Sequence, residues 1–535
     1  MKILVADRIA EEGLAKLQAA EGATVDVRIG LGVDELAAAV AEYDGMIIRS
    51  GVTLTQEILA DPGNLRVIAR AGVGVDNVDL PAATAAGILV LNTPDANTLS
   101  TAEHAVALML ALFRRIPQAH AHVVGGAWDR KAYVGRQLAG KTLGIAGFGR
   151  IGRAVAERAL AFQMKVIAFD PFLGGESAMD GRVTVARKLD DLLSQVDCLT
   201  LHAALTDDTK NMIGAAELGR MKNSAVLVNC ARGGLVDDVA LAVALTSGTI
   251  AGAAIDVFAT EPPADSPLLK CDNVVLTPHL GASTTEAQTA VSTDAVDALL
   301  DYLQHGTIRN AVNVAGLPTN LTPHDRAYLD LGARMATILS PLCSEGIDRV
   351  GVTTYGGDAL SAISRTLALQ VLVDAMNPHI DTRLNLVNAE SFAGQRGIDL
   401  EHANRSVRRD FHESVTVRVE RGNEFHEVEG AVFADNRPRI LSIDGYRMEI
   451  VPEGRLVLIF NDDRPGVIGL VGTVFGDHRV NIADMALSRR GNTALMLLKI
   501  DGDLPDPVLD QLRKSEPILS VRTVQLASIP ERSIP

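Results

Sequence analysis

The stretch Lys141-Thr-Leu-Gly-Ile-Ala-Gly-Phe-Gly-Arg-Ile-Gly152 constrains the fold of this chain more than any other. Thr142 to Ala146 is a short apolar run that reads as a buried parallel strand, and a helix opens near Arg150. The turn between them spells G-x-G-x-x-G. Gly147 permits the tight turn, Gly149 lets the backbone approach a pyrophosphate, and Gly152 lets the helix pack on the strand. The free N–H groups at the helix start then face the phosphates. A second apolar run, Val166-Ile-Ala-Phe-Asp170, ends in an acid 18 residues beyond Gly152. A carboxylate there accepts hydrogen bonds from ribose hydroxyls and repels a 2′-phosphate. Positions 171 to 173 are Pro, Phe and Leu, so no arginine waits there for that phosphate. The expected cofactor is NAD rather than NADP.

A chain of 535 residues is too long for one core, and roughly three to four domains are expected. The net charge of −16, from 50 basic and 66 acidic residues, disfavours nucleic acid or an anionic membrane as a general partner. An anionic substrate needs a local basic pocket instead. Cys198, Cys230, Cys271 and Cys343 show no C-x-x-C spacing and read as reduced thiols. No H-E-x-x-H occurs, and no metal site is expected. Asp7 breaks the N-terminal apolar run too early for a signal peptide, and Ala105 to Phe113, the longest helical apolar stretch, is too short to cross a bilayer. The expectation is a soluble, cytoplasmic protein.

Residues 1–97 alternate strand-like runs (Ile3 to Ala6, Gly45 to Ile48, Val67 to Ala69, Ile88 to Leu91) with helical spacing, which predicts a small parallel α/β unit. Arg49 and Arg70 close two of those strands. Ligands of open parallel sheets bind at the carboxyl ends of strands, so the pair reads as an anion site. Ser100-Thr-Ala-Glu103 reads as a capping box that opens a long helix to about Val124. That helix leads into the dinucleotide unit, 98–281. A further helix and the passage Asn310-Ala-Val-Asn-Val314 suggest that 282–316 returns to the first unit. Gly316 to Thr319 reads as a linker. Residues 317–453 carry helices and alternating strands but no catalytic constellation, which favours an interaction or regulatory module. Residues 454–535 spell βαββαβ, the ferredoxin-like arrangement.

Three polar residues follow the glycine loop at strand ends: Arg232 in Asn-Cys-Ala-Arg-Gly-Gly, Glu261 in Asp-Val-Phe-Ala-Thr-Glu-Pro and His279 in Thr-Pro-His-Leu-Gly-Ala. Oxidising an alcohol with NAD means losing a hydride and a hydroxyl proton. A histidine accepts that proton near neutral pH, and a neighbouring glutamate orients it. An arginine clamps a carboxylate through two hydrogen bonds.

With these motifs the chain resembles the D-isomer-specific 2-hydroxyacid dehydrogenases. Arg-Ala-Gly-Val-Gly-Val-Asp-Asn-Val-Asp79 and the two tail modules narrow the resemblance to the long-form branch that oxidises 3-phosphoglycerate. The resemblance implies an α/β fold of two Rossmann-like units, a discontinuous substrate-binding one and an inserted NAD-binding one. An α+β intervening domain and an ACT domain follow them. It implies His279 as proton carrier, Glu261 as its partner and Arg232 as the carboxylate clamp. Arg49, Ser50, Arg70, Gly72 and Asn97 would meet the substrate. NAD would meet Val73, Gly147, Gly149, Arg150, Ile151, Gly152, Asp170, Ala203, Cys230, Ala231, Arg232, His279, Leu280, Gly281 and Ala282, with Asp256 facing the nicotinamide carboxamide. Trp128 would lie at a dimer interface of a homotetramer, a dimer of dimers. Asn461, Asp463 and Asn481 would bind an effector, L-serine, across paired ACT domains. A glyoxylate or hydroxypyruvate reductase and a NAD-sensing corepressor stay as alternatives.

Overall fold

The computed structural model describes residues 1–314, 316, 321–342, 346–380, 382–406, 411–433 and 437–529. The linker expected at Gly316 to Thr319 lies, past Gly316, outside the described residues, as does Cys343.

Apolar runs separated by helices favour parallel pairing, because a helical crossover returns each strand in the same direction. The first sheet holds β1 (Lys2–Val5), β2 (Thr24–Val27), β3 (Gly45–Ile48), β4 (Val67–Arg70) and β5 (Leu89–Leu91), all parallel, in the order β2-β1-β3-β4-β5. β2 has no continuous apolar run because it is a part-exposed edge carrying Asp26. The helix Thr285–His305 packs Val291, Val296 and Leu299 against Ile3, Val5, Ile47 and Val67. The chain then runs along β5, where Val312 N–H donates to Val90 O at 2.9 Å.

The long helix expected from Ser100 to Val124 is two helices, Thr98–Arg114 and Ile116–Val124. Arg115 between them is left-handed, φ 52°, and Pro117 lies in the first turn of the second helix, where its missing N–H does no harm. Nor is Ser100 a cap. The first helix starts at Thr98, and Ser100 spends its hydroxyl on Thr284.

The second sheet holds β6 (Thr142–Ala146), β7 (Lys165–Phe169), β8 (Ser177–Ala178), β9 (Val183–Val185), β10 (Cys198–Leu201), β11 (Val226–Asn229), β12 (Gly252–Ile255) and β13 (Val274–Leu276). Their order is β13-β12-β11-β10-β6-β7-β9-β8, parallel except for the short β8. The order reverses at β6, which puts the glycine loop at the topological switch point.

The third sheet is β14 (Arg349–Tyr355), β15 (Asp399–Arg405), β16 (Ser414–Arg421), β17 (Glu424–Val432), β18 (Pro438–Ile443) and β19 (Tyr446–Ile450), ordered β15-β14-β16-β17-β18-β19. Helices Pro323–Leu339 and Asp358–Met376 pack on it. The second of these, with the turn that extends it to His379, makes 22 residues apolar enough by length and composition to cross a membrane. That corrects the expectation that Ala105 to Phe113 is the longest apolar helical stretch; Ser361, Ser364 and Arg365 interrupt its apolar run in the sequence. Leu360, Ile363, Leu367, Val371 and Leu372 bury it in the core.

The fourth sheet is β20 (Gly454–Asp462), β21 (Ile482–Arg490), β22 (Thr493–Ile500) and β23 (Ile518–Leu526), antiparallel, in the order β21-β22-β20-β23. Alternation along its strands serves two cores. Val457, Ile459, Met496 and Leu498 face helices Val467–Asp477 and Asp506–Lys514. Leu456, Leu458, Leu495 and Leu497 join one core with Tyr328, Leu331, Met335 and Ile440 of the preceding unit. Arg334 adds hydrogen bonds to Pro452 O at 2.8 Å and Ala527 O at 2.6 Å.

Candidate active site

The carboxyl ends of the strands in the first two sheets converge on one cleft. β12 delivers Asp256 and, a turn later, Glu261; β13 delivers the loop Thr277 to Thr284. His279 sits in that loop with φ 55°, a left-handed conformation that a non-glycine residue keeps only when its surroundings hold it. Its Nδ1 lies 2.9 Å from Glu261 Oε2, and Glu261 Oε1 accepts from Phe258 N–H at 3.1 Å. The carboxylate assigns the proton of the neutral ring to Nδ1, which leaves Nε2 as an exposed base.

Asp256 is fully buried at 0% exposure. Its Oδ1 accepts from Thr277 Oγ1 at 2.6 Å and Leu280 N–H at 2.7 Å, and its Oδ2 from Gly281 N–H at 2.9 Å. These bonds make it a fastener of the His279 loop.

Across the cleft, Arg49, Arg70 and Arg232 face one another. Burial, with the charges of Arg232 and Arg49, brings the Arg70 guanidinium down to about 10 from its usual 12.5. Arg70 Nε, Thr93 Oγ1 and Asn97 Oδ1 are enclosed without partners. Of these, Arg70 Nε and the Thr93 hydroxyl can still donate, and unspent donors beside crowded positive charge suit a polyanion. Arg232 Nε donates to Asp76 Oδ2 at 3.1 Å, from one sheet's loop to the other's. A Cβ on Gly74 would lie 2.0 Å from Arg232 Nη2, so this glycine makes the space the guanidinium uses. Asn229 Nδ2 donates to Arg232 O at 2.9 Å and shapes the same turn. Arg49 donates to Arg8 O at 3.3 Å, and Ser50 is exposed.

On the cofactor side, Gly147 has φ 93°, and a Cβ there would meet His202 backbone at 2.5 Å; beside Gly149 the space is open. That is the cradle a pyrophosphate needs, and these residues fit NAD. Asp170 accepts from Phe148 N–H at 2.8 Å and Phe172 N–H at 2.9 Å, and each oxygen keeps a lone pair. It borders a pocket of about 310 Å³ with Pro171, Leu173, Gly175, Glu176, Val185, Ala186 and Arg187. Arg187 corrects the expectation that no arginine waits there. It comes from a later segment, and Glu176 pairs with it at 3.3 Å. Arg150 points to Asp95 at 2.5 Å and ties the helix start to the first unit. Val73, Ala203, Cys230, Ala231 and Ala282 lie on loops after strands of the two sheets, and Ile151 and Gly152 lie in the first turn of the helix Arg150–Ala161.

Several groups here have no sequence signal of their own. His202 donates or accepts at Thr200 Oγ1, 3.0 Å, and burial lowers it to about 4, so it stays neutral. His104, Cys230 and Asp256 bring ligand-type atoms within 4.8 Å of one another. Asp256 is already hydrogen-bonded, and burial holds the Cys230 thiol well above its ordinary range, which keeps it protonated. Cys198, Cys230 and Cys271 are free thiols.

The effector residues expected in the tail do not meet within one chain. Asn461 lies in β20, only 2% exposed, rather than in a loop, because its side chain turns inward to Asp462 O at 2.6 Å. Asp463 pairs with Arg489 at 2.6 Å near the β21–β22 turn, whereas Asn481 donates to Asp501 at 2.7 Å near the far end of β22. The eight residues of β22 separate those ends by about 25 Å.

Three family models match: the NAD-binding domain of D-isomer specific 2-hydroxyacid dehydrogenases over residues 106–281, the D-3-phosphoglycerate dehydrogenase intervening domain over 325–444, and the ACT domain over 455–517. A D-3-phosphoglycerate dehydrogenase of Methanocaldococcus jannaschii is 38% identical over 528 residues, 98% of this chain and 100% of the relative. One from Archaeoglobus fulgidus is 39% identical over 533 residues, again 98% and 100%. Among solved structures, a glyoxylate reductase from Paecilomyes thermophila superposes with a TM-score of 0.54 at 31% identity, covering 58% of this chain and 98% of its own.

Proposed function

Because this chain belongs to the D-3-phosphoglycerate dehydrogenases, within the D-isomer-specific 2-hydroxyacid dehydrogenases, we propose how its residues divide the work of oxidising 3-phospho-D-glycerate to 3-phosphooxypyruvate, the first step of L-serine synthesis. Residues 1–97 with 282–316 form the substrate-side domain, 98–281 the NAD-side domain, 317–453 the intervening domain and 454–535 the ACT domain. NAD supplies the hydride acceptor. His279 Nε2 takes the proton from the C2 hydroxyl, and Glu261 stabilises the resulting imidazolium across their 2.9 Å hydrogen bond. Arg232 holds the substrate carboxylate. Arg49, Ser50, Arg70, Gly72 and Asn97 hold the phosphate end.

The observations that carry this reading are the His279–Glu261 pair at 2.9 Å and three arginines, Arg49, Arg70 and Arg232, near enough for the charges of two to act on the third. A 2-oxo acid reductase of small substrates has one carboxylate to bind and little use for so much positive charge. The test is NADH formation by the purified protein with 3-phosphoglycerate, set against NADH consumption with glyoxylate. Robust oxidation of 3-phosphoglycerate is expected; turnover of glyoxylate alone would refute the substrate.

Asp170 and the paired Glu176 favour NAD over NADP, since two carboxylates outweigh Arg187 beside a 2′-phosphate. L-Serine is the proposed effector. Asp463 of one copy and Asn481 of another would share it, which fits their separation within a single chain. Indifference of the full-length enzyme to millimolar serine would remove that assignment. The proposed assembly is a homotetramer. Trp128 is 80% exposed, and Ile116, Val123, Val124 and Val134, near it in sequence, are exposed as well; exposed apolar side chains of this kind suit contact with a second copy. Trp128→Glu should halve the mass measured by sedimentation.

A further inference from the structure

The helix Thr98–Arg114 carries the chain from the first sheet to the second, and one of its faces grips the loop that holds His279. Ser100, Thr101 and His104 lie on that face, within one turn of each other. Ser100 Oγ is 2.7 Å from Thr284 Oγ1, the cap of the helix after the loop. Thr101 Oγ1 donates to Gly281 O at 3.2 Å. His104 Nε2 lies 3.1 Å from Asp256 Oδ1 and 3.2 Å from Thr277 Oγ1. Asp256, in turn, holds the N–H groups of Leu280 and Gly281.

We propose that His104 is a positioning residue for the reaction: through Asp256 it fixes the loop Thr277 to Gly281 and so aims His279 at the substrate hydroxyl. The proposal rests on His279 being the proton acceptor. Three donors converge on Asp256 Oδ1, and the carboxylate has no access to water that could replace a lost one. A buried acceptor that loses a donor is costly, and the structure relaxes to find another. The carboxylate's remaining ties include the N–H groups of Leu280 and Gly281, which directly follow the left-handed His279. Any relaxation there moves the imidazole, and a displacement of about 1 Å costs about a hundredfold in rate. The neighbouring Cys230 thiol is protonated and adds no competing charge. Because the gripping helix begins directly after Asn97, a rotation between the two sheets would carry the His279 loop with it.

The test compares His104→Leu with His104→Gln, whose amide can still donate to Asp256. In His104→Leu, kcat should fall roughly ten- to a hundredfold, with KM for NAD and for 3-phosphoglycerate held within about twofold. His104→Gln should recover most of the rate. Independently of turnover, hydrogen exchange of the Leu280 and Gly281 amides in the ligand-free protein should quicken in His104→Leu and stay slow in His104→Gln. Unchanged rate and exchange in His104→Leu would overturn the proposal, as would equal damage in both variants. Should His104→Leu fail to fold, Thr101→Val tests the same grip. A smaller kcat loss with faster exchange supports the proposal, and no change refutes it. If the wild type does not oxidise 3-phosphoglycerate, the functional reading fails, while the exchange comparison still judges the grip.

Discussion

Between the first and second sheets, the bonds that cross are Arg150 to Asp95 at 2.5 Å and Arg232 to Asp76 at 3.1 Å, beside the helix Thr98–Arg114 that joins them. Between the third and fourth sheets, Leu456, Leu458, Leu495 and Leu497 enter a core with Tyr328, Leu331 and Met335. Exposed ion pairs contribute about 0–1 kcal/mol each and can be traded for bonds to a ligand. Each buried leucine contributes about 1.5–3 kcal/mol that separation would forfeit. The bonds joining the front pair can therefore be exchanged at little cost, while separating the rear pair would expose a shared core. Arg383 and Asn385 of the rear pair reach forward to Leu65 O at 2.6 Å and Gly87 O at 2.8 Å, just before β4 and β5, at the opposite strand ends from Arg70.

The sharpest separation of front from rear is chemical. His279→Ala should lower kcat by about 10²- to 10⁴-fold while NADH binding and the melting temperature hold. Near-normal turnover in steady-state assays would take the chemistry away from the front cleft. The rear pair is broken by Leu458→Ala, expected to cost about 2–5 kcal/mol and to unfold the third and fourth sheets in a single transition. Two separate transitions, in calorimetry or hydrogen exchange, would contradict the shared core. For the same reason a chain ending at Glu453 should not yield a folded third sheet.

Acid probes the front pair. His202 is neutral in the fold, lowered to about 4, while the unfolded chain protonates it near 6.5. Its stabilising contribution is thus complete above pH 6.5 and is lost as pH falls from there toward 4. The expected loss is about 2 kcal/mol, and His202→Asn should flatten that part of the stability curve measured by urea unfolding. Smaller again is the cofactor preference. Asp170→Ala should raise KM for NAD about tenfold, the worth of one or two hydrogen bonds. Glu176→Gln frees Arg187 and should improve use of NADP about threefold, a gain that should vanish with Arg187→Ala.

The glycine loop, the central strands of both parallel sheets and the βαββαβ tail are legible in the sequence because each depends on residues a few positions apart. His279, Glu261 and Arg232 are legible for a related reason: each closes a strand or its following turn, and strand ends are where parallel sheets bind ligands. The strands β2, β15 and β19 are not legible, since each sits at an edge and carries exposed polar residues that break its apolar run. The break at Arg115 was hidden by apolar spacing that continues across it.

Sequence alone determined the dinucleotide turn, the acid at its second strand and the pairing of a histidine with a glutamate, since local backbone geometry demands those residue types. Tertiary structure alone decided what surrounds them. Arg187 enters the pocket beside Asp170 from a later segment, His104 meets Asp256 across 152 residues, and Arg232 meets Asp76 across 156. It also decided that Leu458 and Leu331 share a core, because a strand's alternation says that one face is buried and never against what.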